Sequence, residues 1–160
     1  MLQAYFESIK YVGHLIPVSF LRIFVGYYYM NAALVDWKSY SSGGNAFSQM
    51  LIEALNKAQI PSWYRIILSE QMIPNWNIVV FLLIGFQIAI GVSYILGYVV
   101  RPMSIIAVML CVNFLILSNS DREIFFKLLI ACHILLAWVG AGRCLGLDYY
   151  FFKRRRGVWW

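Results

Sequence analysis

Residues 77–117 hold two long apolar segments joined by the short break Gly97-Tyr98-Val99-Val100-Arg101-Pro102. A helix needs about 20 apolar residues, rising about 1.5 Å each, to cross a bilayer core, and each segment has that length. A link this short must fold the second segment back on the first, so the pair reads as a membrane hairpin. Arg101 sits at the turn, within reach of headgroups and water. Pro102 has no N–H to lose at a first helical position and so marks the start of the second helix.

The rest of the chain is of the same kind. Of its 160 residues 62% are hydrophobic and only 12% charged, more apolar surface than one water-soluble core can hide. The net charge of +6 would point to nucleic acid in a soluble protein. Here the basic residues collect beside apolar spans, and membrane topology accounts for them instead. Cys111, Cys132 and Cys144 form no C-x-x-C pair and no even framework, and so suggest neither a secreted disulfide scaffold nor a zinc site. Cys111 and Cys132 read as small hydrophobes in apolar helices, with a redox pair as the alternative.

Periodicity predicts an all-α, polytopic membrane four-helix bundle forming a single domain over 1–160. Its spans are expected at about 18–35, 77–98, 103–119 and 124–140. Residues 1–14 form a modest amphipathic segment suited to an interface. So do residues 46–71, where Phe47, Met50, Leu51, Ala54, Leu55 and Ala58 repeat at helical spacing until Pro61. Trp37, Trp63, Tyr64 and Trp76 belong at headgroup depth. In the first span Arg22, Gly26 and Ala33 share a face, and a small residue beside a charge lets a neighbouring helix come close.

Four spans put both ends on one side. That side carries Lys10, Arg101, Arg143 and the tail run Lys153-Arg154-Arg155-Arg156, whereas acidic residues dilute the basic ones opposite. Both termini are therefore expected in the cytoplasm, with the tail 141–160 touching anionic lipid headgroups.

Polar side chains inside spans are costly unless paired, so function should show there. Counted along each helix, Gln87, Asn113 and His133 fall near mid-membrane, and Arg22 lies nearer the cytoplasmic side within snorkelling reach. Gln, Asn and His at one depth can hydrogen-bond a quinone carbonyl or relay protons; they can equally well bind only one another and glue helices together. A second histidine at matching depth is lacking, since His14 precedes the first span, so haem is not expected.

Several of these residues fall into a familiar order. Arg22 and Gly26, then Gln87-x-x-x-Gly91, Leu96-Gly97 and Arg101-Pro102, then Gly140-Ala141-Gly142-Arg143 with Asp148, resemble the DoxX family of small four-helix bacterial membrane proteins. The resemblance implies a place in the bacterial cytoplasmic membrane and a link to thiosulfate:quinone oxidoreductase and other membrane redox complexes. Gln87 stands where many relatives carry an acidic residue. The glycine-rich ending also has a physical reading: Gly140 and Gly142 end the helix, and Asp148 can pair with Arg143 or Arg101 to clasp the tail to the bundle.

The function expected is a small membrane subunit that packs with lipid and other membrane subunits, in a quinone-linked or other electron-transfer complex. The alternative is a quinone-binding oxidoreductase subunit with Gln87, Asn113 and His133 around the ring and Arg22 near its entrance. A small transporter is a third reading. No metal site, nucleotide loop or nucleophile-base pair stands in the sequence, and quinone or lipid are the candidate ligands.

Overall fold

A computed structural model describes residues 16–56, 60–118, 120–143 and 146–148. The expected interfacial segment 1–14, Cys144 and the run Lys153 to Arg156 lie outside the described residues. Those described are helical, with no strand among them. Four long helices, α1 (Ile16–Ser41), α4 (Trp76–Leu96), α5 (Val100–Leu117) and α6 (Ser120–Val139), alternate in direction. Between α1 and α4 lie α2 (Ala46–Leu55) and α3 (Ser62–Ile67), the latter running into a π turn, Leu68–Met72. A 3-10 turn, Ala141–Arg143, follows α6. The α4–α5 turn, the start of α1 and Asp148 share one end of the molecule, called here the hairpin end; α2 and α3 cover the other, the connection end.

Three helices, α1, α4 and α5, are long and apolar enough to cross a membrane. The fourth differs. Asp121, Arg122, Glu123 and Lys127 occupy the first turns of α6, and an ion pair joins Lys127 to Glu123. The part free of Asp, Glu, Lys and Arg starts only at Leu128, which leaves about 18 Å of helix to Val139.

Each long helix buries one narrow seam. In α1 it runs Ser19, Arg22, Gly26, Tyr29, Ala33; in α4, Val80, Ile84, Gln87, Gly91, Tyr94; in α5, Val100, Ser104, Ala107, Cys111; in α6, Leu129, His133, Leu136. These steps of three and four keep one stripe facing inward. Polar groups sit in the seams, while Phe24, 70% exposed, and Trp138, 86% exposed, point outward. That distribution fits a hydrocarbon solvent.

In such a solvent apolar burial gains little, so association depends on close packing and on hydrogen bonds worth about 0.6 to 2 kcal/mol each. The pairs α1–α4 and α5–α6 pack most extensively. At the α1–α4 crossing a Cβ on Gly26 would stand 2.9 Å from the Tyr94 Cβ and 3.1 Å from the Gly91 carbonyl oxygen. Only glycine allows that approach.

Element boundaries shift from the sequence expectation for identifiable reasons. The first helix does not stop near 35; no glycine or proline stands between Gly26 and Gly43, so Asp36, Trp37 and Lys38 are helical. The hairpin link shrinks to Gly97, Tyr98 and Val99, and α5 starts at Val100 rather than 103. Pro102 is thus the third helical residue, still among the first four whose N–H groups have no partner within the helix. The expected 46–71 segment is two helices and a π turn. Of the aromatic residues expected at headgroup depth, Tyr64 is buried with Leu51, Leu68 and Leu117, whereas Trp37 and Trp63 are exposed.

Candidate functional site

At the hairpin end a set of backbone and charged groups fastens the helices. Gly97 (φ 65) and Val99 (φ 56) both take the left-handed conformation, easy for glycine and strained for a β-branched residue. Asp148 holds Val99 there: its Oδ1 accepts the Val99 N–H at 2.7 Å and its Oδ2 the Val100 N–H at 3.3 Å. A carboxylate 48 residues downstream thereby caps α5. The backbone N–H of Asp148 donates in turn to the Gly97 carbonyl at 3.0 Å. Burial raises the Asp148 carboxyl above the ordinary carboxylate range; those two N–H bonds and the charges of Arg22 and Arg101 pull the other way.

Arg22 is fully buried here and donates from Nη1 to the Ala141 carbonyl at 2.7 Å. It does not snorkel to water, because the loop carrying Ala141 and Gly146 closes over it. Arg101 lies beside Gly140, and the backbone of Arg143 closes the 3-10 turn. The Asp148 side chain accepts from the α5 backbone, with the charges of Arg22 and Arg101 acting on it. This arrangement joins α1, α4, α5 and the chain after α6.

The three polar residues expected to meet at one depth do not meet. By helix rise from the hairpin end, His133 stands about 9 Å in, Gln87 about 14 Å and Asn113 about 20 Å. Asn113 accepts a 2.9 Å hydrogen bond from Tyr64 of α3. Burial pushes the Tyr64 phenol up to about 12, against the pull of that bond. Gln87 donates from Nε2 to Asp36 at 2.9 Å, and its buried Oε1 has no hydrogen-bond partner among the described residues.

His133 is the centre of a buried chain that crosses all four long helices. Its Nε2 lies 2.9 Å from the Tyr29 hydroxyl and its Nδ1 2.7 Å from that of Tyr94. The Tyr29 hydroxyl also meets the Cys111 thiol at 3.1 Å, and the Tyr94 hydroxyl meets Ser104 Oγ at 2.8 Å. Ser104 donates to the Val100 carbonyl at 2.8 Å. With both ring nitrogens occupied, His133 is not poised as a metal or haem ligand. Cys111 and Cys132 are free thiols.

The Cys111 end of this chain meets a cavity of about 670 Å³ in the connection half, a volume usual for small-molecule sites. Tyr29, Cys111, Gln87 and Leu129 line its deep part, Phe114, Phe126 and Phe47 its walls, and Glu53, Asp121 and Arg122 stand on exposed helical turns toward its mouth. Sequence reasoning missed Tyr29, Tyr94, Asp36 and Tyr28, all part of this cavity or of the chain behind it. One signal was available: Tyr29 lies seven residues after Arg22 and Tyr94 seven after Gln87, in the same inward registers. No family model, curated protein or solved structure matches this chain.

Proposed function

We propose that this chain is a ligand-binding subunit of a bacterial inner-membrane assembly, in which all four long helices cross the bilayer as a bundle. The ligand is a quinone-class ring, held in the connection-half cavity. The single observation that carries this reading is the cavity itself. A subunit made only for packing would gain by filling such a space, because voids forfeit contacts. This one is kept open, walled by aromatic rings and backed by a polar floor. Gln87 is the part of the expected polar set that lines it; His133 acts from behind Tyr29, and Asn113 and Arg22 lie elsewhere.

The hairpin end faces the cytoplasm on this reading, supported by Arg101 and Arg143 on that side and by the basic run Lys153 to Arg156 in the sequence. Membership of the DoxX family remains a resemblance of motif order, and it agrees with a redox setting. The accessory-subunit reading is supported by α6, whose charged first turns and exposed apolar stripe of Ile124, Leu128, Leu135 and Trp138 leave room for a neighbouring membrane helix. Both readings hold together if the partner carries the electron-transfer group. The transporter reading finds no comparable support.

A photoreactive quinone analogue tests the proposal on protein reconstituted in lipid nanodiscs. Labelling should concentrate on α2 and the connection end of α5, compete with unlabelled quinone, and vanish in Ala32→Trp, which fills the cavity. Labels scattered over lipid-facing residues such as Phe24 and Trp138, without competition, would reject it.

A further inference from the structure

The protons of the buried chain can be assigned, and their direction has a consequence for the ligand. Ser104 spends its proton on the Val100 carbonyl, so toward Tyr94 it can only accept. Tyr94 therefore donates to Ser104, and its oxygen must accept from His133 Nδ1–H. That fixes the tautomer of a neutral ring: Nε2 carries no proton and accepts from Tyr29. Tyr29, its own proton committed, accepts from the Cys111 thiol. Every bond in the chain points the same way, from the cavity floor toward Val100.

Tyr29 thus turns no proton toward the cavity it lines. The other polar groups on the deep wall agree: Asp36 brings a carboxylate, and Gln87 spends an amide N–H on that carboxylate rather than on the open space. Ser39, Tyr40 and Trp76, which can donate, sit at the connection end; the Tyr28 hydroxyl can turn to either role. Asp36 and Tyr29 stand seven residues apart on α1, about 10 Å along its axis. One ring bearing hydroxyls at opposite positions, with a hydrogen bond at each end, fits between them.

We infer that the cavity selects the hydroxyl-bearing, reduced ring over the same ring bearing carbonyls, and that Ser104, far from the ligand, sets this preference through Tyr94, His133 and Tyr29. A carbonyl ligand would face acceptors with an acceptor, leaving buried lone pairs unmatched on both sides. Ser104 is a positioning residue; it does not line the cavity. The titratable groups facing His133 are Tyr29 from α1, Tyr94 from α4 and, through Tyr29, Cys111 from α5, with Cys132 beside it on α6. This inference rests on the quinone-class reading of the cavity.

The test is equilibrium binding of a short-tailed hydroquinone and of its quinone to nanodisc-embedded protein, without oxygen. Wild type should hold the hydroquinone at least about tenfold more tightly. In Ser104→Ala, Tyr94 is released to donate to Nδ1, the proton moves to Nε2, and the Tyr29 proton is freed from His133 to turn to Cys111 or to a ligand in the cavity. The ratio should then fall to about one or invert. Tyr94→Phe removes the same anchor and serves if Ser104→Ala does not fold. A wild type that prefers the quinone, or a ratio unchanged in both variants, overturns the inference while leaving the cavity reading intact. Binding of both forms that is equally tight in Ala32→Trp overturns the cavity reading and this inference with it.

Discussion

The two ends of the molecule treat their polar groups in opposite ways. At the hairpin end a buried arginine, a buried carboxylate and two left-handed backbone positions are locked by bonds across four segments of chain. In the connection half the residues Asp36, Gln87 and Tyr29 line open space. The first arrangement stabilises the helix ends; the second gives up packing and is where a ligand can be held. A chain that builds both separates the groups that hold it together from those set around open space, and substitutions should divide accordingly.

The largest effect is expected from Arg22→Ala, which strips a fully buried charge from the hairpin end. A loss of about 3 to 5 kcal/mol should abolish the folded peak in a detergent thermal melt. Gly26→Leu should follow at about 1 to 3 kcal/mol, since the backbone of Gly91 and the Cβ of Tyr94 cannot move aside. Asp148→Ala, which uncaps α5, should lower the melting point by the equivalent of about 0.5 to 2 kcal/mol. The cavity should behave oppositely: Ala32→Leu removes ligand binding yet leaves stability unchanged or raises it by up to about 1 kcal/mol. If Ala32→Leu is instead as damaging as Gly26→Leu, the contrast between the two regions is lost.

The smallest effect concerns α3. The raised Tyr64 phenol gives docking of α3 a stability fully present below the unfolded value near pH 10 and lost as pH rises through about 12. Proteolytic sensitivity of the α2–α3 segment should therefore increase across that window in wild type. Tyr64→Phe, with no phenol there to ionise, should show no such window.

Much of the frame was legible because membrane helices are long and the seams repeat at fixed steps. Arg22, Gly26 and Ala33 fell on one face by counting alone, and Gly97 with Pro102 marked the hairpin. The site was harder to read. Tyrosine counts as apolar or interfacial in a sequence, so Tyr29 and Tyr94 gave no sign of being the partners of His133. Depth was estimated from expected span ends, and those shifted: α1 continued past 35, which brought Asp36 inside the helix and within reach of Gln87. Asn113 was taken by Tyr64, a residue from a segment whose height above the bilayer no periodicity reports. The motif order that carried the resemblance gathers mostly at the hairpin end, so it describes the lock better than the cavity.

The most direct measurement is native mass spectrometry of the protein released from nanodiscs loaded with a quinone-class ligand. One ligand retained per wild-type chain, and none in Ala32→Trp, is the expected result. Equal retention by both chains, or mass shifts that rise with ligand concentration without a limit, would mean that the ligand only dissolves in the surrounding lipid.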